Sequence, residues 1–312
     1  MENVIEVRGL TKKYKELTAV NNLDLDVKKG RILGLLGPNG SGKSTTINCI
    51  LSLLSFDSGK VMVLGKEMTP DAYDLKAKIG AVFQDVGVFE ELTVYENIDY
   101  FCGLYIRDKK ERTRLVQEAI DLVSLNDFKK FRPKQLSGGL LRRLNIACGI
   151  AHKPEIIFFD EPTVAVDPQS RNNILEGIKK LNDNGSTIIY TSHYMDEIEQ
   201  ICDDIVIIDK GKIIAKGNAE ELKNLITMNE KVVFESGDLT DEIIGKIKDL
   251  DHVSSVDYSK PTCRINFEHG KDNLVNLIRL LSDNNVVYDS LNSQRPSLND
   301  VFLELTGKDL RD

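Results

Sequence analysis

The chain has 312 residues, of which 41% are hydrophobic and 29% charged, and its formal net charge is −8. That length suits one large domain, or a large domain followed by a small one. An acidic chain with no dense basic run is a poor candidate for binding nucleic acid through its phosphates, which needs clustered Lys and Arg.

The first residues, Met1 to Glu6, are charged and lack the apolar stretch of a signal peptide. No apolar run reaches the ~20 residues that a membrane span requires, so no direct membrane insertion is expected. Val4 to Leu10 and Leu23 to Val27 alternate like strands, and Arg31 to Leu36 is a continuous apolar run that suits a strand buried on both faces. A glycine-rich loop follows, then a helix over Ser44 to Leu54. From about Asp85 to Leu125 the pattern is mostly helical, with Leu115, Val116, Ala119, Ile120, Leu122 and Val123 on one broad face. Strands and helices then alternate: strand Glu155–Phe159, helix Arg171–Asn182, strand Thr187–Thr191, helix Met195–Cys202, strand Ile205–Asp209. This alternation predicts an α/β fold on a mostly parallel sheet, with a helical subdomain inserted at about 85–150.

Composition shifts near Ile226 to Lys231, which predicts domains 1–225 and 226–312. The second reads as strand Lys231–Glu235, helix Thr240–Leu250, strands Val253–Tyr258 and Thr262–Phe267, helix Asp272–Asp283 and strand Val286–Leu291. That order, β-α-β-β-α-β, is a small α+β domain of ferredoxin-like pattern. A last helix over Leu298 to Leu305 has Ser297 as N-cap and Gly307 as its stop. The five cysteines, Cys49, Cys102, Cys148, Cys202 and Cys263, stand singly, as reduced buried thiols do, and not in zinc or disulfide spacing.

Gly37-Pro38-Asn39-Gly40-Ser41-Gly42-Lys43-Ser44, with Thr45 after it, fits G-x-x-x-x-G-K-[ST] between an apolar strand and a helix. Its glycines let successive N–H groups turn inward on phosphate oxygens, and the helix adds its positive end. Lys43 would neutralise β/γ-phosphate charge and the Ser44 hydroxyl would ligate Mg²⁺. Kinases, GTPases and motors share this loop, so alone it indicates a P-loop NTPase and no more. Asp160 and Glu161 end the strand through Phe159, at the edge where α/β sheets bind ligands. Asp160 could hold Mg²⁺ and Glu161 could orient and deprotonate water. His193, after strand Thr187–Thr191, falls on the same edge.

Leu136-Ser137-Gly138-Gly139, shortly before the Asp160-Glu161 strand, resembles the signature of ATP-binding cassette (ABC) ATPases. The resemblance spans residues 1 to about 220. It implies a P-loop NTPase with an N-terminal antiparallel β part, ATP and Mg²⁺ as ligands, and ATP hydrolysis. It also implies two copies that sandwich two ATPs head to tail, with Ser137, Gly138 and Gly139 as an anion-binding helix start facing the partner's ATP. By the same resemblance Tyr14 stacks on adenine, Gln84 touches Mg²⁺ or water and hinges the helical subdomain, Asp167 is the aspartate of the loop after Glu161, and His193 is the switch histidine.

Pro296 to Gly307, Thr93 to Asn97 and Glu161 to Ser170 are similar to ATP-binding subunits that pair with ABC-2 type permeases, a group of prokaryotic drug, antibiotic, polysaccharide and sodium exporters. This implies a separate permease partner, a homodimer of the ATPase, and a place at the cytoplasmic face of the membrane through that permease. The alternative within the family is a non-transport ABC ATPase associated with translation or DNA repair. Three positions depart from the pattern: Leu140 where glutamine is common, Leu141 where a basic residue is usual, and Ala165 where a glycine is usual.

Overall fold

The computed structural model describes residues 2–226, 228–237, 239–268 and 272–307. These fall into two compact units, one up to Asn218 and one from Ala219. The junction expected at 225/226 falls inside the second unit, and the two are described separately below.

The first unit opens with β1 (Asn3–Tyr14), β2 (Leu17–Lys28), β3 (Ile32–Leu36), α1 (Lys43–Ile50), β4 (Ser58–Val63), β5 (Lys66–Glu67), α2 (Tyr73–Lys76) and β6 (Ile79–Val82). Helices α3 (Val94–Gly103), α4 (Lys109–Leu122) and α5 (Gly138–Ile150) follow. The chain then alternates through β7 (Ile156–Asp160), α6 (Pro168–Asp183), β8 (Thr187–Thr191), α7 (Met195–Ile201), β9 (Asp204–Asp209) and β10 (Lys212–Gly217). β2-β1-β4-β5 form an antiparallel sheet and β10-β9-β3-β8-β7-β6 a second sheet, parallel except for β10.

Burial explains the strand sequences. Every residue of β3, β7 and β8 is buried, as expected of parallel strands covered on both faces. Strand β2 instead alternates, with Val20, Leu23, Leu25 and Val27 inward. Ile47 and Ile50 of α1 share one core with Ile5, Val7 and Leu25 of the antiparallel sheet and with Leu33, Leu35 and Phe158 of the parallel sheet. The helix that carries the phosphate loop at its start is thus gripped by both sheets. It ends at Ile50 and not at Leu54, because Ser52 turns left-handed (φ 52°) and the N–H groups of Leu53 and Leu54 both bond back to the Asn48 carbonyl.

Helices α3 to α5 lie in sequence between β6 and β7 and form the insert. The stretch expected to be helical from Asp85 is loop up to Thr93. A single amide holds it. Asn97, fully buried, donates to the carbonyls of Phe89, Leu92 and Thr93 at 3.0–3.1 Å and accepts from the Phe89 N–H at 2.8 Å. Thr93 and Glu96 close a reciprocal capping box at the start of α3. Among the described residues, no helix is long and apolar enough to cross a membrane.

The second unit contains α8 (Ala219–Lys223), β11 (Met228–Glu235), α9 (Asp241–Lys248), β12 (Val253–Ser259), β13 (Thr262–Glu268), α10 (Asn273–Asp283), β14 (Asp289–Gln294) and α11 (Leu298–Thr306). Its sheet runs β12-β13-β11-β14 with every neighbour antiparallel, the ferredoxin-like arrangement. Val232, Phe234, Ile265 and Phe267 of the sheet share a core with Ile247, Leu277 and Leu281 of the helices. Ser297 caps α11 and Gly307 stops it at φ 68°. The strand expected at Val286–Leu291 lies instead at Asp289–Gln294. Val286 and Tyr288 pack on the core from a loop, and the Val287 carbonyl accepts from the Ser236 hydroxyl, so tertiary contacts override their strand preference.

Replacing Asn97 by Ala strips four backbone partners at once. The expected cost is roughly 2–4 kcal/mol, read as a lower thermal midpoint of the first unit by calorimetry; an unchanged midpoint would mean water replaces the amide.

Candidate functional site

Three neighbouring strands, β3, β8 and β7, bring the expected site residues to one sheet edge. β3 runs into Gly37, β7 ends at Asp160, and β8 ends at Thr191 just before His193. A cavity of about 740 Å³ opens there. Asn39, Gly40, Gly42, Lys43, Ser44 and Thr45 line it from the loop side. Gln84, Glu161 and His193 line it as well, and so does Tyr14, which is itself 45% exposed.

The loop is held by close backbone approaches. A Cβ on Gly42, which sits at φ 106°, would stand 2.3 Å from the Ala19 carbonyl oxygen. One on Gly37 would stand 2.3 Å from the Ile208 carbonyl and 2.4 Å from the Ser41 hydroxyl. Only glycine fits at either place. The Lys43 ammonium is buried and donates to the carbonyls of Gly37 at 2.7 Å and Pro38 at 3.2 Å. Burial lowers its pKa, while Glu161 and Asp160 pull it back up.

The carboxylates are arranged by a threonine. The Thr191 hydroxyl donates to Asp160 Oδ1 at 2.7 Å and accepts from the Glu161 N–H at 2.9 Å. Asp160 is buried and does not line the cavity, whereas Glu161 does. Glu161 adopts a left-handed backbone, φ 49°, which costs a non-glycine residue of order 1–2 kcal/mol and is held only by its surroundings. His193 Nδ1 lies 3.6 Å from Glu161 Oε2, an approach too long for a hydrogen bond but short enough for both to grip one small molecule.

Arg142 does more than its place in the sequence suggested. It is 4% exposed and spends all its donors on main-chain carbonyls. Nε donates to Pro162 at 2.8 Å; Nη1 to Phe83 at 2.8 Å and Gln84 at 2.7 Å; Nη2 to Glu161 at 2.8 Å and Asp160 at 3.3 Å. One guanidinium on α5 thereby fixes both the Gln84 loop and the Asp160-Glu161 turn. The signal was available: Arg142 is three residues after Gly139 and four before Ile146, on the buried face of α5, where a charge demands partners.

Ser137, Gly138 and Gly139 stand apart from the cavity, as does Asp167. Ser137 caps α5, its hydroxyl accepting from the Leu140 N–H at 3.4 Å. Asp167 caps α6, accepting from the Ser170 N–H at 2.9 Å, and that contact with Ser170 holds its carboxyl below the usual range. The two helix starts meet at Gly139, where a Cβ would lie 2.7 Å from Ser170 Oγ and 3.2 Å from Asp167 Oδ2. Gly138 differs, because nothing lies within 4 Å of a Cβ there. Ala165, in the loop between, has φ 58° where glycine would sit without strain.

Comparison with known proteins follows this geometry. Residues 20–164 match the ABC transporter family, and residues 217–306 match the C-terminal domain of DrrA1-3-like ATP-binding proteins. The linearmycin resistance ATP-binding protein LnrL of Bacillus subtilis is 37% identical over 311 residues, covering 99% of this chain and 100% of that one. The chain belongs to the ABC transporter ATP-binding proteins. The daunorubicin resistance ATP-binding protein DrrA3 of Streptomyces coeruleorubidus is 31% identical, covering 99% of this chain and 98% of the relative. A dimeric ATP-binding cassette solved in a post-hydrolysis state with ADP and Pi is 30% identical, with a TM-score of 0.63 over 69% of this chain and 98% of that one. As an ABC ATPase this protein binds and hydrolyses ATP as the energising subunit of a transporter. The relatives do not favour the translation or DNA-repair alternative.

Arg142→Lys tests the carbonyl clamp. An ammonium has three donors for five carbonyls, so the expected loss is roughly 2–4 kcal/mol of stability with a fall in ATPase activity. Thermal melts and steady-state turnover that both match wild type would rule the clamp out.

Proposed function

We propose that two copies of this chain close on two ATP molecules, each held between the phosphate loop of one copy and Ser137–Gly139 of the other, to drive export through a separate ABC-2 type permease. The observation that carries this is the separation of two anion-binding helix starts within one chain. The start of α1 lines the cavity, whereas Ser137, Gly138 and Gly139 at the start of α5 do not line it, and nothing lies within 4 Å of a Cβ at Gly138. A second phosphate-binding start is redundant in one copy and useful between two. The similar cassette solved as a dimer supports the reading.

In this scheme Lys43 leaves the carbonyls of Gly37 and Pro38 for the β- and γ-phosphates, whose charge repays its burial. Tyr14 stacks on the adenine. The donors near the phosphates, the Ser44 hydroxyl, the Asp160 carboxylate and the Gln84 amide oxygen, are hard oxygens and fit Mg²⁺. When bound, Mg²⁺ supplies neutralisation of phosphate charge. Glu161 accepts the proton of the attacking water, His193 holds that water and the γ-phosphate, and Asp167 lines the contact between copies. Loss of the γ-phosphate removes the bridge, so ATP favours the closed pair and ADP the open one.

The permease contact falls on the helical insert. A groove of about 390 Å³ is lined by Phe83, Asp85, Gly87, Phe101 and Tyr105, and beside it Phe89 and Tyr100 are exposed with ring centroids 4.9 Å apart. Such a patch suits a short amphipathic helix of the partner. It would place the ATPase at the cytoplasmic face of the membrane. The resistance and export names of the relatives support an exporter of antibiotic-like compounds.

Glu161→Gln should bind ATP, elute as an ATP-dependent dimer from a sizing column and lose nearly all turnover. Turnover equal to wild type would refute the role of Glu161. Adding Gly138→Asp to that variant should abolish the dimer without lowering the thermal midpoint, since the position is sterically open. A dimer that survives would show that this helix start does not face ATP.

A further inference from the structure

A second buried carboxylate lies behind the site and has no part in the scheme above. Glu197, in the first turn of α7, is 2% exposed. Its Oε2 accepts three hydroxyls: Tyr190 and Ser192 at 2.7 Å each and Thr163 at 2.9 Å. Its Oε1 faces Arg171 Nε at 3.3 Å, an ion pair whose N–H is not aimed well enough to count as a hydrogen bond. The Arg171 guanidinium lies 4.1 Å from the centre of the Tyr194 ring, and the Tyr194 N–H donates to Ser192 Oγ at 2.9 Å. Burial together with Glu197 pushes the Tyr190 phenol well above its usual range, so it stays a donor.

These partners are not scattered. Thr163 is in the turn after Glu161. Ser192 and Tyr194 flank His193 on both sides. Arg171 follows Ser170, which lies against Gly139 of the signature helix. Resting on the roles given above to Glu161 and His193, we propose that Glu197 is a positioning residue for hydrolysis: its carboxylate ties the loop after Glu161 to the turn bearing His193, so that the two water-handling side chains keep their spacing. Through Arg171 the same block reaches Ser170 and Asp167, so a contact made there by a second copy bears on His193. The desolvation of an anion that touches neither substrate nor solvent is offset by the three hydroxyls and one guanidinium, and its placement makes sense as a tie between loops.

The test is steady-state kinetics of Glu197→Gln, His193→Ala and the double variant, each with its thermal midpoint. Glutamine keeps the shape and one acceptor oxygen but cannot serve three hydroxyls and Arg171 together. The expected result is a kcat lower by roughly tenfold to a hundredfold with KM for ATP within about twofold, and a double variant no slower than His193→Ala alone. A folded Glu197→Gln with near wild-type kcat, beside a slow His193→Ala, would overturn the positioning role and leave the roles of Glu161 and His193 standing. So would effects on kcat that multiply in the double variant, as independent defects do. A His193→Ala variant at wild-type speed would instead sink the site assignment and this proposal with it. Should Glu197→Gln not fold, Thr163→Val and Ser192→Ala remove the two hydroxyls singly and together. Non-additive losses of kcat confirm the tie through Oε2, and additive losses refute it.

Discussion

Five backbone carbonyls converge on the guanidinium of Arg142, and the geometry of the nucleotide site depends on that convergence. Phe83 and Gln84 follow β6, Asp160 is the last residue of β7, and Glu161 and Pro162 follow it. Residues 83, 84, 161 and 162 lie outside the strands, so their carbonyls need partners other than the sheet ladder. A single planar fork from the signature helix satisfies them together. It also explains how Glu161 can rest in a left-handed backbone, since the same fork takes its carbonyl and Thr191 takes its N–H. Helix α5 and the turn after β7 are therefore tied together, although twenty residues separate Arg142 from Pro162.

Two helix starts differ in their surroundings. α1 is clamped by both sheets of the first unit, and its first residues line the cavity. α5 is fixed by Arg142 and by the close approach of Gly139 to Ser170 and Asp167, and it leaves Gly138 uncovered. A ligand with phosphates that contacts both starts must lie between copies. Its binding free energy then goes into closing the pair, and hydrolysis withdraws it. The buried cluster around Glu197 joins the two faces from behind.

The sheet was legible in the sequence because its strands are buried on both faces: Ile32–Leu36, Ile156–Asp160 and Thr187–Thr191 read as continuous apolar runs. Short strands with mixed exposure, such as Ser58–Val63 and Lys212–Gly217, have no such signature. The loop 85–93 passed for helix because Asn97, and not a turn motif, holds it. Of the site, Lys43, Ser44, Gln84, Glu161 and His193 were read from the sequence, and the structure places them around one cavity. Arg142 showed only as a charge on the buried face of α5, and Glu197 not at all, because their partners are carbonyls and hydroxyls far away in sequence, which no local pattern identifies. Ala165 departs from the usual glycine at a position whose φ of 58° favours glycine.

The central claim is that each ATP is shared between two copies, and mixing two inactive variants tests it most directly. Lys43→Ala removes the phosphate loop's charge and Ser137→Arg blocks the signature helix start. A mixed pair holds one site with both defects and one with neither, provided the site is built across the pair. ATPase activity that returns on mixing, to about half of wild type per mixed pair, is the predicted result. Mixed pairs that form, as seen by co-purification of differently tagged copies, yet stay inactive would contradict a shared site.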